Sequence, residues 1–248
     1  MSYDDGRVQD RRLAEIFDKN KIRGTFHLNS GKLGCEGYIT KEELGDLFKN
    51  HEVSVHTVNH PPLTNVQHST VINEIISDKK NLEEIMGYPV RGMSLPYGVT
   101  NAEVDKIISF SGMKYSRTTA SAAAFSFPEN FLRWNPTCHH KNALPVLDKF
   151  LETKKNGWRS LLFYVWGHSY EFDNDSNWDL IEEFCKRASG HDDVWYATNI
   201  EIYDYMAAVK NLIISVDEKT IINPSYNPVF VSVDGETLEI KGGQRINL

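Results

Sequence analysis

Short apolar runs alternate with amphipathic helical stretches along most of this chain, and that alternation constrains the fold more than any other feature. Residues 1–3, 24–28, 52–56, 90–95, 114–118, 160–166 and 194–197 read as strands. Helical periodicity fills the gaps at 8–19, 69–86, 101–111, 144–155, 178–188 and 200–209. Thr40 and Glu43 form a capping box that opens a further helix through Leu44, Leu47 and Phe48. Gly87 and Gly112 are expected helix stops, as is Gly157. The helix over 69–86 is expected to bury Val71, Ile72, Ile75, Ile76, Leu82, Ile85 and Met86. The run 160–166 is apolar almost throughout, which suits a strand covered on both faces. Seven or eight β/α units of this kind predict an α/β fold, a parallel barrel with helices outside.

The pattern changes near residue 209. Short alternating segments at 212–216, 220–222, 229–233 and 237–240 follow, with Asp234-Gly235 as a hairpin signal. The expected organisation is a barrel over 1–208 and a small β-rich appendage over 209–248, covering a barrel end or packing between subunits of a homo-oligomer.

Polar residues of metal-ligand type cluster at strand C-termini, where barrel folds carry their chemistry. Asp4-Asp5-Gly6 follows the first strand, His56-Thr-Val-Asn-His60 the third, and Gly167-His168 the run at 160–166. Two imidazoles four residues apart share a side of one turn, and neutral imidazole suits a divalent metal, zinc foremost. Of two consecutive acids, one can complete the metal site while the other takes a proton from the attacking water. His168 can then protonate the leaving group, held charged by Glu171 or Asp173.

These motifs, in this order and with Arg91 through Pro96-Tyr97-Gly98 between them, resemble the polysaccharide deacetylase family, the NodB-like domain of carbohydrate esterase family four. The resemblance covers roughly residues 1 to 205. It implies a distorted barrel of that type and a metal-dependent hydrolase that removes acetyl groups from N- or O-acetylated saccharides. It implies Asp4 as base, Asp5, His56 and His60 as metal ligands, His168 as acid, and the Tyr97 N–H as an oxyanion donor. The family's arginine falls where this chain has Ser94, which leaves Arg91 as its expected substitute. Trp134 is the expected groove-lining residue, with Trp166 and Tyr170, which flank His168, as further sugar contacts. The family's last motif is leucine-rich before its histidine, whereas Trp166-Gly167 stands here.

Two other readings remain open at this stage: hydrolysis of a non-sugar amide or cyclic imide, and carbohydrate binding without turnover. A net charge of -7 and no lysine/arginine-rich run argue against a nucleic-acid partner. No apolar stretch approaches the roughly 18 residues of a membrane span. Three scattered cysteines, without a C-x-x-C, suggest neither a disulfide framework nor a cysteine zinc site. No signal-peptide pattern precedes Asp4, so cytoplasmic residence is the expectation, although the first strand starts abruptly and residues upstream of Met1 are an open alternative. Cys138-His139-His140 looks like a ligand cluster, but adjacent residues of a strand point to opposite faces, so the two imidazoles are not expected to bind one ion. His27, His51, His68 and His191 are expected at the surface or in packing.

Overall fold

The computed structural model describes residues 1–156 and 159–248; the expected stop at Gly157 lies outside them. Contacts divide the chain into two compact units, Met1–Asn199 and Ile200–Leu248.

The first unit is built on seven parallel strands: β1 (Ser2–Asp4), β2 (Thr25–Leu28), β3 (Glu52–Val55), β4 (Gly92–Ser94), β5 (Tyr115–Arg117), β6 (Cys138–His139) and β7 (Val165–His168). Their spatial order is β5-β4-β3-β2-β1-β7-β6, and the sheet curls into a half-barrel. Because every pair is parallel, all seven C-termini emerge on one rim. In register, Asp4 pairs with His27 on one side and His168 on the other.

Helices α1 (Asp10–Lys19), α2 (Leu44–Leu47), α3 (His68–Met86), α4 (Ala102–Phe110) and α5 (Ala143–Asn156) lie in the crossovers, and α6 (Glu171–Asn174) and α7 (Trp178–Ala188) follow β7. Half of the Thr40 box forms: the Thr40 N–H donates to Glu43, but the helix begins only at Leu44, with Glu43 as its N-cap. Gly87 ends α3 in the left-handed region, at φ 73°. The core is continuous from Tyr3, Phe17 and Phe26 through Val55 and Val71 to Phe172 and Ile181.

Three local expectations fail for identifiable reasons. No strand forms over 194–197, because Tyr196 is tied to α7 instead: its hydroxyl accepts from the His191 N–H and donates to the Ala188 carbonyl. The apolar run at 160–166 becomes a strand only from Val165, while Leu162 donates to the Phe125 carbonyl. On α3, Ile72 and Ile76 face solvent, whereas Glu74 and Asp78 are buried. The helix is turned so that these two carboxylates, rather than two more isoleucines, meet the loop after β3.

The second unit comprises α8 (Asn199–Lys210) beyond its first residue, a three-stranded antiparallel sheet and a hairpin. The sheet joins β8 (Ile213–Ile214), β9 (Thr220–Ile222) and β12 (Arg245–Asn247). The hairpin pairs β10 (Val229–Val233) with β11 (Glu236–Ile240). Asp234 and Gly235 turn it with φ 52° and 85°, as the sequence anticipates. No helix among the described residues is long and apolar enough to cross a membrane.

Candidate active site

The rim collects Asp4 and Asp5 from β1, His56 and His60 from the loop after β3, Ser94 and Tyr97 from β4, Arg117 from β5, and His168 from β7. Backbone strain is concentrated there: Asp5, Thr57, His60 and Tyr97 all have φ between 61° and 84° without being glycine. Such conformations cost about 1–3 kcal/mol each and persist only where surrounding contacts impose them. Here α3 supplies those contacts. Asp78 accepts the N–H groups of His56 (3.0 Å) and Ser30 (2.7 Å), and Glu74 accepts both the N–H and the side-chain amide of Asn59. The Thr57 hydroxyl accepts the His60 N–H at 3.0 Å.

Asp5 Oδ1 lies 3.5 Å from His56 Nε2 and 3.9 Å from His60 Nε2. The ligand atoms of the three side chains all fall within 4.8 Å of one another. His56 Nδ1 is 2.6 Å from the Ser94 hydroxyl and 3.0 Å from the Ser94 carbonyl, so its proton sits on that nitrogen. Nε2 is thereby left as a bare lone pair, buried and without a hydrogen-bond partner. Burial holds the His56 pKa below its ordinary value against the pull of Asp4 and Asp5, which keeps the ring neutral. A neutral imidazole with an orphaned nitrogen facing a carboxylate and a second imidazole fits a divalent cation with an open coordination position.

Asp4 is buried, with Oδ2 3.9 Å from His56 Nε2. Burial disfavours its charge, but Arg117, His56, His27 and His168 outweigh it and hold the carboxyl well below the usual range. Arg117 Nη2 donates to Oδ2, and the Ser94 hydroxyl donates to Oδ1 at 3.0 Å. Ser94 therefore relays between the His56 ring and Asp4. Arg117 is fully buried, lies over the Trp166 ring at 4.7 Å and donates to the Thr118 carbonyl.

This corrects the expectation for Arg91. It precedes the N-terminal end of β4, three residues before Ser94 and roughly 10 Å back along a strand. The arginine on Asp4 comes instead from the neighbouring strand, where Arg117 occupies the last position of β5. Its place near the C-terminal end of the strand expected over 114–118 was the available signal. Trp134 is corrected as well: it is 0% exposed and packs edge-on against Tyr115 and Phe131, so it lines no groove. Trp166 and Tyr170 do flank His168, with ring centroids 5.6 and 5.2 Å away. Tyr97 is 61% exposed and sets its ring 4.7 Å from that of His60.

Around His168 the structure holds a cluster the sequence reading did not foresee. Glu171 lies 3.6 Å from His168 Nδ1, 3.0 Å from His139 Nε2 and 3.2 Å from His140 Nε2. The two adjacent histidines share a partner because β6 ends at His139 and His140 begins a 3-10 turn, which breaks strand alternation. Asp173, the other expected partner of His168, is taken by Gln9 and the Trp178 indole. Burial works to lower the His168 pKa, but Glu171, Asp4 and Asp5 prevail and raise it. His139, His168 and Glu171 have metal-ligand spacing. However, His139 Nδ1 accepts the Lys141 N–H, so a neutral ring carries its proton on the Nε2 that faces Glu171. That tautomer is a donor rather than a metal ligand.

Gly167 explains the departure in the last motif. A Cβ there would stand 1.9 Å from His140 Nδ1, and that ring is fully buried, stacked on Phe172 at 4.3 Å. Gly167→Ala is expected to destabilise the first unit by about 1–3 kcal/mol, as overpacking does. Thermal unfolding followed by circular dichroism checks this, and an unchanged midpoint would contradict the packing account.

Residues 1–116 match the family model described as Polysaccharide deacetylase. The peptidoglycan-N-acetylglucosamine deacetylase PgdA of Listeria monocytogenes is 26% identical over 122 residues, which is 48% of this chain and 25% of that protein. The chain thus matches about a quarter of the length of its curated relatives. The deacetylase PplD of Streptococcus pyogenes, solved in complex with acetate, superposes with a TM-score of 0.52 at 20% identity, covering 54% of this chain and 61% of that one. A CE4 family pseudoenzyme from Bacillus anthracis superposes with a TM-score of 0.51 at 16% identity, covering 82% and 63%. At such identities the solved structures speak for the fold, a half-barrel shared with these proteins. Over residues 1–116, just under half of its length, the chain is thus similar to the polysaccharide deacetylase family.

Proposed function

We propose that this chain is a metal-dependent hydrolase that removes acetyl groups from an acetylated saccharide of the peptidoglycan-like class. One observation carries the reading: the orphaned Nε2 of His56 faces Asp5 and His60 directly beside the buried carboxylate of Asp4. The curated relatives act on peptidoglycan N-acetylglucosamine, which gives the substrate class. Because one neighbour of the same fold is a pseudoenzyme, the activity is argued from this chain's residues and not from its fold.

Asp5, His56 and His60 would hold the cation, which when bound supplies Lewis acidity and a lowered pKa for water. Asp4 takes the proton from the attacking water. Arg117 and Ser94 fix its two oxygens and keep it ionised, so it is a ready base at neutral pH. The N–H of Tyr97, on a strained turn at the rim, donates to the oxygen that gains charge. His168, kept protonated by Glu171, gives its proton to the departing amine or hydroxyl. Trp166 and Tyr170 offer ring faces to the sugar on either side of His168.

The direct test is acetate release from N-acetylated oligosaccharides, abolished by chelation and restored by added Zn2+. Release that survives chelation would count against the reading; saccharide binding without release would favour a non-catalytic protein on this fold. A pH profile tests the acid. The alkaline limb reports loss of the His168 proton, so it should lie above the ordinary histidine value. Glu171→Gln removes one of the negative charges that raise it, and the limb should move to lower pH. A limb that stays in place would remove Glu171 from the account.

A further inference from the structure

We propose that Arg7 is an anion-binding group at the edge of this site and that the preferred saccharide carries a carboxylate on a sugar near the scissile acetyl group. The identity of the ligand as a saccharide rests on the deacetylase reading above; the anion site itself rests on geometry.

Arg7 leaves β1 two residues after Asp5, on the same rim. Its backbone is pinned there, bridging to Tyr38, while Val8 donates to the Gly37 carbonyl and Ile39 to that of Gly6. Two aromatic rings hold the guanidinium. Its central carbon lies 4.4 Å from the centroid of Tyr38 and 5.7 Å from that of Tyr170, whose ring is itself 5.2 Å from His168. Gly37 leaves the space beside it open, since a Cβ there would come within 3.3 Å of Nη2.

This half-buried arginine lacks a counter-charge, as the exposed Arg159 and Arg245 also do among the described residues. Arg11, Arg12, Arg117, Arg133 and Arg187 each hold a carboxylate. Arg7 pairs with none among the described residues, in a chain with 34 acidic and 27 basic side chains, and its Nε is buried without a hydrogen-bond partner. Rings that already restrain a guanidinium reduce the ordering lost when it binds. With a face against Tyr38, its in-plane N–H edge remains for a ligand. A carboxylate is planar and meets that edge with two parallel hydrogen bonds. A sulfate or phosphate can make the same fork, but its two remaining oxygens project above and below the plane, where a planar carboxylate has none.

The test compares three N-acetylated oligosaccharides of equal length, one neutral, one carboxylated and one sulfated, as substrates of the full metal-loaded chain. The expected result is a KM about tenfold lower for the carboxylated substrate at similar kcat, because this contact is made equally in ground and transition states. The ratio should shrink with added salt, fall to near one in Arg7→Gln, and be partly kept in Arg7→Lys. Equal KM values for the neutral and carboxylated substrates overturn the proposal on the natural chain alone, whether or not the variants fold. A preference that survives in folded Arg7→Gln also overturns it, and sulfate matching carboxylate overturns the choice of anion. Should no saccharide be turned over, the deacetylase reading fails separately. Calorimetric affinities of the same three compounds then decide the Arg7 proposal by the same ratios.

Discussion

Asp4→Asn is expected to lower kcat for acetate release by about 10²–10⁴-fold, the usual contribution of a positioned base, while the chain retains its cation. The amide keeps the shape and volume of the carboxyl but cannot take a proton. The cation should remain because Asp5, His56 and His60, and not Asp4, have their ligand atoms gathered within 4.8 Å. The substitution also leaves the buried Arg117 charge without its anion, so melting must be followed in parallel. A folded, metal-loaded variant with near-normal kcat would remove Asp4 as base. Loss of metal and activity together would mean that the two carboxylates have exchanged roles.

Arg117→Met should produce the largest loss of stability, about 3–5 kcal/mol, the penalty for stranding one partner of a buried ion pair. Asp4 and Arg117 are both almost inaccessible to water, and Arg117 holds the carboxylate directly. The sign of the pH dependence follows. Because the folded Asp4 pKa is depressed, its contribution is fully present above the unfolded value of about 4 and disappears as pH falls toward the folded value. Thermal unfolding of the natural chain and the variant should therefore differ most near neutrality and converge in acid. Without the guanidinium, Asp4 also gains a proton more readily, so the variant's activity should show an acid limb displaced to higher pH. Equal stability at neutral pH would show that the pair contributes nothing net. Arg117→Lys separates charge from geometry, since it keeps the cation but loses the fork and the contact with Trp166.

The sequence made the architecture and the convergence of the candidate ligands legible for a simple reason. Parallel strands place every C-terminus on one rim, so Asp5, His56, His60 and His168 could be placed together from strand ends alone. Support of those groups was not legible, because it depends on contacts between neighbouring strands and on helix rotation. Arg117 lies beside Ser94 in register, twenty-odd residues later in sequence, and linear spacing gives no sign that one strand now supplies what the next usually does. Glu74 and Asp78 occupy a helix whose apolar spacing favoured Ile72 and Ile76; only the loop's unpaired N–H groups explain why the carboxylates turn inward. His139 and His140 converge on Glu171 because a strand ends between them, a boundary that the sequence does not mark. Trp134 is expected in the groove from the family resemblance, yet its contacts with Tyr115 and Tyr164 make it packing.

The central claim is that Asp5, His56 and His60 hold one cation beside Asp4, and metal stoichiometry tests it most directly. Chain stripped by chelator and dialysed against Zn2+ should bind one tight equivalent by elemental analysis, whereas Asp5→Asn and His56→Gln, shown to be folded, should each bind far more weakly. Failure of the natural chain to bind zinc or any other divalent transition metal, or undiminished binding by both variants, would contradict the account.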